Sequence, residues 1–156
     1  MPPAPQSAAA LRRLLLALVA FGMVALSVEL VLLEHYEDPL MFVPFAVLGA
    51  GLAAVVLHAT AGTSATARLL QTVMVVVIVS GLVGIGVHYQ GSLEFQVEMD
   101  PEIARWDLFW KVMHMKAPPT LAPGAMVQLG LLGLLATYGH AAAVRQTPDR
   151  STGEHT

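Results

Sequence analysis

Four apolar stretches, at residues 14–33, 40–60, 69–88 and 121–144, dominate the chain, and polar residues gather between and beyond them. Each is close to the ~20 residues that a helix rising ~1.5 Å per residue needs to cross ~30 Å of hydrocarbon. The pattern predicts an all-α membrane protein built as an antiparallel bundle of four transmembrane helices. A different pattern separates the third and fourth stretches. Asp100 suits a helix N-cap, Pro101 the first helical position and Glu102 the first turn. Ile103, Trp106, Phe109, Trp110 and Met113 then recur at helical spacing, with Arg105, Asp107 and Lys111 mostly off that stripe. This predicts an amphipathic helix over about 101–115, lying on the membrane surface with its Trp rings at headgroup level. Just before it, Leu93, Phe95 and Val97 alternate with Glu94, Gln96 and Glu98, a short strand-like pattern.

The remaining segments are short. Residues 1–10 hold three prolines and read as a disordered tail, residues 61–67 as a Gly/Ser/Thr loop, and residues 146–156 as a polar, disordered tail. Residues 11–145 then form one membrane domain. Arg12-Arg13 ahead of an apolar run, with Ala25-Leu26-Ser27 behind, resembles a secretory signal and its cleavage site. A signal core spans only ~7–15 residues. This run continues through Leu33, so the expectation is a retained first helix.

Composition sharpens the picture. The chain is 56% hydrophobic with a mean hydropathy of +0.66. It has no cysteine, which excludes disulfides, thiolate ligands and cysteine-held iron–sulfur clusters. Asparagine is absent and Arg outnumbers Lys, a bias typical of GC-rich bacterial genomes; the expected location is a bacterial cytoplasmic membrane. With the N-terminus inside, Arg12, Arg13, Arg68, Arg145 and Arg150 fall on the cytoplasmic side, and Arg105, Lys111 and Lys116 on the other. The positive-inside rule therefore predicts that both termini are cytoplasmic. Glu34, Glu37, Asp38, Glu94, Glu98, Asp100, Glu102 and Asp107 all fall outside, so eight acids against three bases leave the outer face at a formal −5. Such a face favours a basic partner and disfavours nucleic acid.

Candidate chemistry begins with histidine. His35, His58, His88 and His140 each lie near the C-terminal end of a different span, and alternating topology pairs His35 with His88 outside and His58 with His140 inside. On ideal helices, small residues share a face with His58, His88 and His140, which predicts that these point into the bundle. Paired imidazoles from facing helices can ligate haem b. In plan the arrangement is similar to the cytochrome b561 family, in which alternate helices of a four-helix core supply one histidine each; the resemblance implies haem held by these pairs. A helix C-terminus also favours histidine on electrostatic grounds alone. Glu34, His35, His88 and His114 offer a second possibility, a transition-metal site, with Met113 and Met115 leaning towards copper.

Glu29 and Gln128 are the intramembrane polar candidates. Glu29 shares a helix face with Ala25 and Gly22, which predicts an inward orientation with Gln128, Tyr36 or His88 as partner. Glu29 and His88 could also form a proton or ion pathway. No Walker loop, GxGxxG or GxSxG motif occurs, so no enzyme class is indicated. The expected function is that of an accessory or scaffold protein: lipid surrounds it, its acidic outer face meets a membrane or periplasmic protein, and it can self-associate.

Overall fold

A computed structural model describes residues 5–115 and 120–138. Among these residues every regular element is helical: α1 (Pro5–Leu32), α2 (Phe42–Ala61), α3 (Ser64–Met99), α4 (Arg105–Met113) and α5 (Leu121–Thr137), with a short 3-10 turn at Pro39–Met41. Helices α1, α2 and α3 are long and apolar enough to cross a membrane. The described part of α5 is apolar but shorter, at 17 residues. Residues 139–144 of the expected fourth span, and the tail at 146–156, lie outside the described residues.

Each helix boundary has a local cause. Helix α1 starts at Pro5, earlier than the expected 14, because Pro suits the first turn and Ala8, Ala9 and Ala10 are strong helix formers. The expected tail at 1–10 is thus helical from residue 5 onward. At its other end Glu34 turns left-handed (φ 54°), while its N–H donates to the Val31 carbonyl and the His35 N–H to the Leu30 carbonyl. This is the Schellman pattern with Glu where Gly is usual. Asp38 accepts a hydrogen bond from the Leu40 N–H and opens the 3-10 turn that leads into α2. Gly62 ends α2 at φ 61°, and Thr63 opens α3 through a reciprocal cap with Thr66. The expected loop at 61–67 is therefore two residues long.

The largest difference from expectation lies in α3. It runs 36 residues without a break, straight through the stretch read as strand-like. Tyr89, Ser92, Leu93 and Gln96 turn one partly or fully buried face inward at helical spacing, and α4 packs against α3. Asp100 closes α3, its N–H donating to the Gln96 carbonyl, and Pro101 stops the helix. The surface helix consequently starts at Arg105 rather than 101.

Helix α1 packs on α2 and α5, α2 on α3, and α3 on α5. Each contributes a narrow buried stripe: Leu16, Val19, Met23, Leu26 and Leu30 from α1, and Ala67, Leu70, Met74, Val77 and Gly81 from α3. Outside that stripe Leu14, Leu18, Phe21, Val28, Val75, Val79 and Val83 are exposed. A water-soluble helix would carry polar residues there; these positions are apolar because their surroundings are. The tightest contact joins α3 and α5. A Cβ on Gly81 would stand 2.7 Å from the Pro123 carbonyl oxygen, and one on Gly130 2.9 Å from that of Met74. Glycine lets the two backbones approach this closely.

Candidate functional site: a histidine pair and an acidic overhang

The end of the molecule that holds the α1–α2 connection brings His35 and His88 together. Their ring centroids lie 5.9 Å apart with the planes tilted by 39°. Two features of the chain produce this contact. The left-handed turn at Glu34 lifts His35 off the axis of α1, and such a backbone costs a non-glycine residue about 1–2 kcal/mol. His88 stands inside α3, eleven residues before its end at Met99. The helix-terminus explanation for His88 therefore lapses, since the partial charge acts only within the last turn.

The other histidines have different company. His58 is buried, and its Nδ1 lies 3.1 Å from Thr66 Oγ1 across the α2–α3 turn. Thr66 was legible only as a Thr-x-x-Thr cap signal in a segment read as loop. His140 lies outside the described residues. His114 donates from Nδ1 to the Trp110 carbonyl at 2.9 Å and rests its ring on Trp110. Among the described residues no group of three or more histidines and carboxylates stands close enough to hold a metal ion, so neither Glu34 nor His114 completes a set with the pair.

Glu29 departs from its expected orientation. The buried stripe of α1 runs through Met23, Leu26 and Leu30, and Glu29 and Ala25 fall off its edge and are exposed. Gly22 alone of that face packs inward, against Leu129. Gln128 on α5 is exposed as well. A polar contact also joins α3 to α5: Gln71 Nε2 donates to Thr137 Oγ1 at 3.3 Å, and Thr137 is fully buried. Gln71 and Thr137 each lie among apolar neighbours, and only the α3–α5 register makes them meet.

Beyond His88, α3 continues as an overhang. Its last eleven residues, from Tyr89 to Met99, extend about 16 Å past the apolar run at ~1.5 Å per residue. Helix α4 folds back onto this extension through Leu108 and Val112, which are buried. Trp106, Phe109 and Trp110 form a ring cluster on one flank, with both Trp side chains exposed, and Phe109 also meets Tyr89 of α3. Glu94, Glu98, Asp100, Glu102 and Asp107 are all exposed there, five acids against the two bases Arg105 and Lys111. Glu34, Glu37 and Asp38 add three exposed carboxylates at the same end.

The chain matches no family model, no curated protein and no solved structure.

Proposed function

We propose that this is a small, non-enzymatic membrane protein that docks a basic partner on an acidic helical overhang outside the bilayer. In this reading α1, α2, α3 and α5 are four antiparallel spans of a bacterial cytoplasmic membrane, with both termini cytoplasmic, as the arginine distribution favours. The observation that carries the proposal is the length of α3. Eleven helical residues that run about 16 Å past the apolar stretch need a purpose. Here the excess is braced by α4 and surfaced with carboxylates. The exposed Trp106 and Trp110 then seat the hairpin at the headgroups, where indole rings are favoured, and leave the acids facing water.

The test is native purification in mild detergent at low salt, followed by chemical crosslinking. The expected result is one recurrent basic protein that high salt releases and that Glu94→Lys with Glu98→Lys abolishes. Repeated recovery of the chain alone would count against the proposal.

The contact of His35 with His88 favours a second reading, a transition-metal site at the same end. A zinc–imidazole bond of about 2.0–2.1 Å puts two rings sharing one ion about 5–6 Å apart, centroid to centroid. The observed 5.9 Å falls in that range. Calorimetric titration with Zn²⁺ should then lose its signal in His35→Ala and in His88→Ala and keep it in His114→Ala; no heat with the parent protein ends this reading.

A further inference from the structure

Helix α5 carries a second seam, on the side facing away from the rest of the molecule. Leu121, Gly124, Gln128, Leu131 and Leu135 follow one another at spacings of three and four residues, the heptad rhythm that keeps one face of a helix against a partner helix. Leu121 is 64% exposed, Leu131 54% and Leu135 57%. A Cβ on Gly124 would meet nothing within 4 Å, so a notch lies one turn from Gln128. Such a notch admits a neighbouring backbone.

The depth of Gln128 decides what the seam is for. Arg12 donates to the Tyr138 carbonyl at 3.3 Å, and this charged contact marks one edge of the apolar zone. Gln128 stands ten residues from Tyr138 on α5. Ten residues are about 15 Å, half of a ~30 Å hydrocarbon layer. The contact of Gly22, near the middle of α1, with Leu129 agrees with that level. Glu29 differs: seventeen residues from Arg12, it lies about 25 Å up and within a side chain's length of the far headgroups. Glu29 can reach water, and Gln128 cannot. Among the described residues the Gln128 amide has no hydrogen-bond partner, and an amide left alone at mid-bilayer is costly.

We infer that two copies of this chain pair through the outward seam of α5, with their Gln128 amides hydrogen-bonded to each other at the bilayer midplane. Copies inserted the same way relate by a two-fold axis along the membrane normal, so α5 runs parallel to its mate and identical residues meet at identical depth. Glutamine suits this position because its amide both donates and accepts, and two of them close a reciprocal pair. A glutamate there would oppose a like group. The single polar position in an apolar heptad seam also sets register, as a buried amide does in soluble coiled coils. This inference does not depend on the acidic overhang, which lies at the other end of α3.

Because the parent chain has no cysteine, single cysteines map the seam directly. Full-length protein is placed in phosphatidylcholine vesicles and oxidised with Gly124→Cys, Leu131→Cys or Leu135→Cys on the seam, and with Val79→Cys on the exposed face of α3 as control. The expected result is dimer crosslinking at the three seam positions and little at position 79. In parallel, energy transfer between labelled copies is followed as vesicle lipid is diluted. Gln128→Leu, which keeps the seam apolar and the helix intact, should raise the dissociation constant about tenfold. Equal crosslinking at all four positions would overturn the inference. So would a parent protein that stays monomeric at every lipid dilution, or a Gln128→Leu variant that pairs as tightly as the parent.

Discussion

The two long faces of α5 obey the same three-and-four spacing and have different surroundings. Toward the molecule, Pro123, Met126, Gly130, Gly133 and Thr137 are buried, the space at Gly130 and Gly133 is taken by Met74 and Ile78, and the Thr137 hydroxyl meets Gln71. Away from it, Leu121, Gln128, Leu131 and Leu135 are exposed, and among the described residues nothing lies within 4 Å of a Cβ on Gly124. Hydrophobicity does not distinguish the faces, because leucine is equally at home in lipid. Close backbone approach and polar satisfaction distinguish them, and these are the forces left to associate helices once the solvent itself is apolar.

Substitutions at matched positions break this comparison most sharply. Gly130→Val should cost about 1–3 kcal/mol or more, because its side chain drives into the Met74 backbone. Gly124→Val should leave the melting temperature of the detergent-solubilised monomer unchanged, since nothing lies near its Cβ. Equal losses in a thermal melt would erase the distinction between the faces. Next in size comes Gln128→Leu, expected to weaken self-association about tenfold while the monomer melts as before. Thr137→Val removes the bond to Gln71 and should destabilise by about 1 kcal/mol; an unchanged melt would show that the inward polar contact adds nothing to stability. The smallest effect lies outside α5. Glu34→Gly relieves the left-handed backbone and should raise stability by about 0.5–1 kcal/mol. In the metal reading the same change loosens His35 and weakens zinc binding, so a melt and a titration on one variant move in opposite directions.

The histidines illustrate how far residue order reaches. Alternation of spans predicts that His35 and His88 share one end, and their rings do meet there. The same logic puts His58 at the opposite end, where the ring instead contacts Thr66, a residue eight positions along the chain. Pairing by depth needs only helix lengths. Partner choice needs the rotation of each helix and the true extent of each loop, and the α2–α3 loop proved to be two residues where seven were expected. Glu29 failed for a related reason. Small residues on its face predict an inward orientation, but the stripe that packs is set by Met23, Leu26 and Leu30 meeting α2 and α5.

What the sequence determined by itself is the solvent and the helices. Runs of about 20 apolar residues have few alternatives, because every backbone amide in hydrocarbon must bond within its own segment. Aspartate, threonine, glycine and proline at the turns are equally local signals, and Asp38, Thr63 and Gly62 act where they stand. The tertiary structure alone decided that α3 runs on through an alternating segment to brace α4, that Gly130 rather than Gly124 meets a neighbour, and that Gln71 finds Thr137. In an apolar solvent nearly any face of a helix can be exposed without penalty. The choice among faces therefore falls to a few close contacts between residues distant in the chain, which no local pattern encodes.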